Sequence, residues 1–375
     1  MASRFVESIM QSETSRAGGE GGAPAPSPAA LRWSDPARQR AFEAWLAPQV
    51  AEHGLRPPTL RLASADASFR RYLRIDADPA RGAPTRIIMD APPPQEDVRP
   101  FVAVARLIRS AGLNAPRVLA EDPERGFLLL DDLGDRLLIS ALREAGPAAA
   151  DGLMRQAVAA LVRFQSGVPA SALPAFGAAT LREELALFPD WCVQREHGIR
   201  WDTDQQAQWD QACERLVQAL VAQPVVAVHR DWMPRNLMLH EAGLGILDFQ
   251  DAGAGPLAYD LVSMLRDAFL SWEEEQEIDW AIRYWEAARR AGLPVDSDFG
   301  DFWRAVEWAG LQRHLRILGV FCRLKHRDGK PGYATDLPRF FGYCTRVAMR
   351  YREFAPLLRL LEPMSGSPVQ AGYTF

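Results

Sequence analysis

His229-Arg230-Asp231-Trp232-Met233-Pro234-Arg235-Asn236 is the stretch on which the reading of this chain turns. It separates two apolar runs, Pro224-Val-Val-Ala-Val-His229 and Asn236-Leu-Met-Leu-His240, and a third, Leu244-Gly-Ile-Leu-Asp248, follows closely. Short apolar runs bounded by polar and turn residues are strand signals. The pattern predicts a loop carrying Asp231 and Asn236, then a strand that presents Asp248 at its carboxyl end. Gly255-Pro256-Leu-Ala-Tyr259-Asp260-Leu261 next starts a helix, and Asp260 suits an anchor that holds the loop by hydrogen bonds better than a substrate contact. His229 reads as a packed support for the same loop.

These residue types meet the needs of phosphoryl transfer. One carboxylate must take or orient the proton of the attacking hydroxyl, oxygen ligands must hold Mg²⁺ on the nucleotide phosphates, and donors must balance phosphate charge. Asp231 suits the first role. Asn236 offers an oxygen to the metal without adding negative charge, and Asp248 supplies the main metal carboxylate. Asp251 reads equally as a second metal contact or a helix cap. Asp and Asn also cap turns, but the downstream Asp248 in strand context favours catalysis. The spacing matches the H-R-D-x-x-x-x-N catalytic loop of kinases.

Outward from this core, residues 1–30 end in a Gly/Pro/Ala-rich tract that reads as a disordered tail. A helix follows Pro36, with Phe42, Trp45, Leu46 and Val50 at helical spacing. Strands are expected near 59–64, 69–76, 85–90, 117–121 and 126–131, with a helix from about Glu96 to Ala111. Past Asp131-Asp132-Leu133-Gly134 the pattern is mostly helical, near 137–145, 148–166, 178–197, 203–222, 257–270, 273–292, 299–326 and 335–362. Leu311, Leu315, Leu318 and Cys322 mark one buried stripe of the helix at 299–326. The expected fold is α+β and protein-kinase-like. A small antiparallel-sheet nucleotide-binding lobe (31–131) joins a large, mainly helical catalytic and acceptor-binding lobe (132–375), with nucleotide in the cleft and adenine against Leu128–Leu133.

His229 to Leu261 resembles the aminoglycoside phosphotransferase and choline kinase superfamily, in which an H-x-D-x-x-x-x-N loop, an I-D-x-x-x metal motif and a G-x-P-x-x-D-L helix start recur. Ser64-Ala-Asp-Ala-Ser-Phe-Arg-Arg-Tyr72, Met89-Asp-Ala-Pro-Pro-Pro94, Leu128-Leu-Leu-Asp-Asp-Leu-Gly134 and Leu247-Asp-Phe-Gln-Asp-Ala252 are similar to the bacterial N-acetylmuramate/N-acetylglucosamine anomeric kinases, over about residues 35–362. The resemblance implies ATP- and Mg²⁺-dependent phosphorylation of an amino sugar's anomeric C1 hydroxyl, in recycling of cell-wall sugars. It also implies departures. Kinases carry a third-strand lysine that reaches the phosphates; here Arg86 on that strand, or Arg71 or Arg74 on the second, takes its place as a bidentate phosphate donor. The turn at 65–68 lacks glycine, yet its backbone and Ser68 suit an anion nest, and Glu96 is a candidate partner for the missing lysine. Asp190 and Trp191 are candidate sugar contacts, by hydrogen bonding and stacking, with Arg195 or Arg200 near a lactyl carboxylate.

Composition limits the alternatives. The 375 residues carry a net charge of −5, which gives no reason to expect nucleic acid as a partner. Lys325 and Lys330 are the only lysines, so the rest of the 43 basic residues are arginine. Four separated cysteines and no H-E-x-x-H argue against a zinc site or disulfide scaffold and for a reducing cytoplasm. No apolar run approaches a membrane span, and the N-terminus lacks a signal-peptide core. The rival readings are a kinase for another acceptor (an aminoglycoside, choline or homoserine) and a nucleotide-binding pseudokinase that acts as an interaction module.

Overall fold

The computed structural model describes residue 33, residues 35–65 and residues 69–365. The expected tail at 1–30 and Ser68 lie outside the described residues. In chain order the elements are α1 Pro36–His53, β1 Arg61–Ala65, β2 Arg71–Asp76, β3 Thr85–Asp90, α2 Arg99–Ser110, β4 Val118–Asp122 and β5 Phe127–Asp131. Then come α3 Leu138–Glu144, α4 Pro147–Gly167, α5 Ala178–Leu185, α6 Thr203–Val221, β6 Val225–Val228, β7 Leu237–Met238, β8 Gly245–Ile246 and β9 Gly253–Pro256. The chain ends in α7 Tyr259–Leu265, α8 Glu274–Arg290, α9 Phe299–Asp328, α10 Leu337–Arg350 and α11 Ala355–Leu361.

Two compact units result. The first comprises the described residues through Arg136 together with Met238–Gln250. Its sheet is antiparallel in the order β1-β2-β3-β5-β4. Leu73, Ile75, Ile88, Phe127 and Leu129 form one core with Phe42, Trp45 and Leu46 of α1, and the Trp45 and Phe127 rings stack at 5.2 Å. Asp35 caps α1 by accepting from Ala37 N at 2.8 Å. The tight β4–β5 turn requires Gly126: its φ is +70°, and a Cβ there would lie 1.9 Å from Ala91 O.

The second unit comprises Leu137–Leu237 and the described residues from Asp251 onward. Its axis is α9, buried around its whole circumference from Ala309 to Leu324. The expected stripe of Leu311, Leu315, Leu318 and Cys322 is fully enclosed, and so are Gln312, Arg313, His314 and Arg316 on the other faces. Gly319 lets α9 approach the segment after α5 so closely that a Cβ would sit 2.5 Å from the Leu187 carbonyl carbon.

Three expectations need correction. The boundary falls after Arg136, not Asp131, and the hairpin Met238–Gln250 belongs with the sheet. Leu239 N donates to Arg136 O at 2.9 Å, Ile246 N to Asn114 O at 2.8 Å, and Phe249 packs on Phe101 at 4.7 Å. The helix expected at 178–197 stops at Leu185 and resumes as a π-helical turn, Phe188–Glu196, because Pro189 has no N–H and the bonding shifts register, with His197 N reaching Cys192 O. The helix expected at 335–362 is broken by a turn at Arg352–Phe354.

Candidate active site

β6 pairs antiparallel with β9, and the chain leaves β6 directly into the loop 229–236. Asp260, in the first turn of α7 and fully buried, grips the start of this loop: its Oδ2 accepts from His229 N at 2.6 Å and its Oδ1 from Arg230 N at 2.8 Å. Burial pushes its carboxyl up to about 7, while the His229 and Arg230 N–H donors, then Arg313 and Arg230, pull it down. The bonds hold Arg230 at φ +75°, a conformation that costs a non-glycine residue about 1–3 kcal/mol and persists only where its surroundings enforce it. The His229 ring packs at 6.2 Å from Phe164 and 5.6 Å from Trp232, edge to face with both.

Asp231 is 2% exposed. Its main-chain oxygen accepts from Met233 N at 2.8 Å and from Asn236 Nδ2 at 3.0 Å, so the Asn236 amide is fixed by its nitrogen end. Around the Asp231 carboxylate stand arginines that the sequence reading did not single out. Arg313 Nη2 lies 3.4 Å and Arg316 Nη1 4.0 Å from Oδ1. Glu184, wholly buried, joins the group through Arg230 Nη2 at 2.6 Å, Arg316 Nε at 3.3 Å and Gln312 Nε2 at 3.2 Å. Basic and polar side chains interleaved with the Leu311–Leu315–Leu318 stripe were the available sign of this cluster.

From the stretch 183–191, Glu184 is the residue that enters the cluster. Asp190 is exposed on the π-helical turn, and half-buried Trp191 carries the Arg195 guanidinium 5.9 Å from its ring centroid.

Asp231 and Asn236 belong to the second unit and Asp248 to the first. Asp248 follows β8 at φ +60°, and its Oδ1 accepts from Gln250 Nε2 at 2.9 Å. In this unit the arginines are placed differently from the sequence expectation. Arg86 is buried with its guanidinium turned onto the carbonyls of Arg81, Ala83 and Thr85, which close the β2–β3 turn. Arg71 is ion-paired to Asp90 and lies 4.2 Å over the Trp33 ring, and Arg74 is bound bidentate to Asp132. Arg70 is buried too, with Nε 2.9 Å from Glu96 Oε2. Burial works against its charge, but Tyr72, Glu96 and Asp248 outweigh that and raise its affinity for the proton. Arg70 and Glu96 are thus a buried cation–carboxylate pair electrostatically linked to Asp248.

Among the described residues no group of three or more His, Cys, Asp and Glu side chains gathers as a metal site. The oxygens of Asp248 and Asn236 are hard donors of the kind Mg²⁺ takes in ones and twos, with phosphates and waters completing its shell. Each of the two, taken in its own unit, is of a donor type that suits that ion. Among the described residues, no helix is long and apolar enough to cross a membrane.

Comparisons with known proteins agree with this chemistry. The family described as phosphotransferase enzyme family (APH) matches residues 59–332. A Pseudomonas aeruginosa protein named N-acetylmuramate/N-acetylglucosamine kinase is 47% identical over 335 residues, 88% of this chain and 97% of that one. A Neisseria meningitidis protein of the same name is 44% identical over 340 residues, covering 90% and 99%. Among solved structures, a Plasmodium vivax ethanolamine kinase superposes with TM-score 0.57 at 10% identity, covering 83% of this chain and 89% of that one. An ADP-bound aminoglycoside phosphotransferase does so at 0.54 and 13%, covering 82% and 96%. With a sheet unit, a helical unit and a loop of this construction, the chain belongs to the phosphotransferase enzyme family and is a phosphotransferase of protein-kinase-like fold.

Proposed function

We propose that this enzyme transfers the terminal phosphoryl group of ATP to the anomeric C1 hydroxyl of N-acetylmuramate and N-acetylglucosamine, in cytoplasmic recycling of cell-wall sugars. The observation that carries the proposal is the buried Asp231 carboxylate on a loop clamped by Asp260, in a chain with near-full-length relatives bearing that kinase name. The arginines around Asp231 also disfavour cationic acceptors such as aminoglycosides and choline, which need a site rich in carboxylates.

Each residue's part follows from its placement. Asp231 accepts the hydrogen of the attacking hydroxyl, and Arg313 and Arg316 fix the carboxylate's orientation. Such a positioned base contributes about 10²–10⁴-fold, toward the lower end here because an anomeric hydroxyl is more acidic than an ordinary alcohol. Asn236, fixed through its nitrogen, offers Oδ1 to Mg²⁺, and Asp248 offers its carboxylate. When bound, the ion neutralises β- and γ-phosphate charge. Arg70, braced by Glu96, holds the nucleotide phosphates in place of the absent lysine.

The test is a panel of N-acetylmuramate, N-acetylglucosamine, kanamycin and choline with ATP and Mg²⁺. Turnover is expected with the two sugars, and their products should lose the reducing end because C1 is blocked. Asp231→Asn should lower kcat by about 10²-fold or more with ATP affinity retained. Products that still reduce, or full turnover in that variant, would refute the assignment.

A further inference from the structure

We infer that Asp267 and Arg313 form the acceptor-recognition pair of this enzyme, reading neutral hydroxyl and amide oxygens of the sugar beside Asp231. The inference deepens the proposed amino-sugar kinase activity and rests on it.

Asp267 follows α7 and is 0% exposed, and Arg313 is 1% exposed. The Asp267 Oδ1 accepts from Ala268 N, but Oδ2 has no hydrogen-bond partner among the described residues. Arg313 uses Nη2 on Asp231 Oδ1 at 3.4 Å and on the Met233 sulfur at 3.1 Å, while its Nε and Nη1 have no partner among the described residues. Buried polar groups are bonded in the great majority of cases, and one left without a partner is strongly disfavoured. Here an acceptor and two donors go unmet, and the donors belong to the arginine that touches the catalytic carboxylate.

Their chemistry selects the ligand. Burial pushes the Asp267 carboxyl up to about 6, with Arg313, then Arg235 and Arg339, drawing it back. At neutral pH it is therefore mostly an ionised acceptor for O–H donors. Arg339 Nη1 is occupied by Ala268 O, and Arg235 lies 4.7 Å over the Phe269 ring. Arg313 shares its charge between Asp231 and Asp267, so little remains to attract an anion, while Nε and Nη1, without a partner among the described residues, suit a carbonyl or ether oxygen. A polyhydroxylated, uncharged face carrying an amide matches this combination. N-acetylglucosamine and its 3-lactyl ether share donor hydroxyls at C4 and C6, and those are the groups Asp267 can receive from both. Acceptor recognition then falls to this pair and not to Asp190 and Trp191.

The experiment compares wild type with Asp267→Asn, which preserves size, using N-acetylglucosamine and its 3-, 4- and 6-deoxy analogues. We expect KM for N-acetylglucosamine to rise about 10–100-fold, the span of a hydrogen bond to a charged group, with KM for ATP within about twofold. One deoxy analogue, at C4 or C6, should be a poor substrate for wild type by a similar factor and no worse than the parent sugar for the variant. A structural role would instead lower the melting temperature and weaken all four sugars alike. That result, or an unchanged sugar KM, would overturn the pair. Wild-type failure on both amino sugars would refute the activity itself, which separates the two failures.

Discussion

Asp260→Asn is the substitution that isolates how the loop is held. The wild-type carboxylate accepts two backbone N–H bonds, at 2.6 and 2.8 Å, in a fully buried position. Asparagine keeps one oxygen and turns an NH₂ toward the other N–H, so a charge-assisted bond is replaced by two donors facing each other. The bonding loss is about 3 kcal/mol, and removal of a carboxylate that burial disfavours offsets it by a similar amount, so stability at pH 8 changes little and the effect falls on the loop. Freed of this clamp, Arg230 relaxes from φ +75° and carries Asp231 with it. A misplacement near 1 Å costs about 10²-fold in kcat, with KM for ATP little changed. The pH dependence has a definite sign. The folded carboxyl titrates near 7 against an ordinary 3.8, so between those values the folded protein holds a proton that the unfolded chain has lost. Stability from this group is greatest at low pH and falls as pH rises from about 4 to about 7. The protonated form is also the poorer loop acceptor, so wild-type turnover should decline below pH 7 toward that of Asp260→Asn. The assay is steady-state turnover of both proteins from pH 8 to 5.5, with thermal unfolding alongside. Asp267 titrates in both and cancels in the ratio. A variant with wild-type kcat at pH 8, or a ratio that stays constant across that range, would refute the reasoning.

Arg70→Met should take an ion-pair partner from the buried Glu96 carboxylate, cost about 3–5 kcal/mol and weaken ATP binding. Adding Glu96→Gln should restore the melting temperature but not the ATP affinity, as thermal unfolding and calorimetry would show. Arg86→Met should lower the melting temperature while leaving KM for ATP within about twofold, because its guanidinium serves the β2–β3 turn; a large rise in that KM would return Arg86 to the nucleotide.

What the sequence revealed was local. The family and fold class followed from residues close together in the chain: a polar loop between two apolar strands, an aspartate at the end of a third, and a helix start behind them. What stayed hidden depended on long-range packing. Arg70 and Glu96 are separated by strands β2 and β3, and nothing in either segment names the other. Arg86 looked like the natural lysine substitute because it sits on the third strand, but residence on a strand does not say which end of it a long side chain turns to. The stripe on α9 accounted for Leu311, Leu315 and Leu318, but amphipathic spacing predicts a polar face in water, and this helix has none along its middle. Nothing in that spacing singles out Arg313 and Arg316, which are buried as deeply as the stripe. The hairpin 238–250 went to the wrong lobe because its neighbours in sequence belong to the other unit.

A helix enclosed on every side behaves as a single machine part. Gln312, Arg313 and Arg316 lie within little more than one turn of α9, so inserting one residue upstream would swing all three by about 100°, withdrawing them from Glu184 and Asp231 together. Drift toward new substrates has little room along this rod, and directed evolution of the enzyme should spare it and randomise the connecting segments at its two ends.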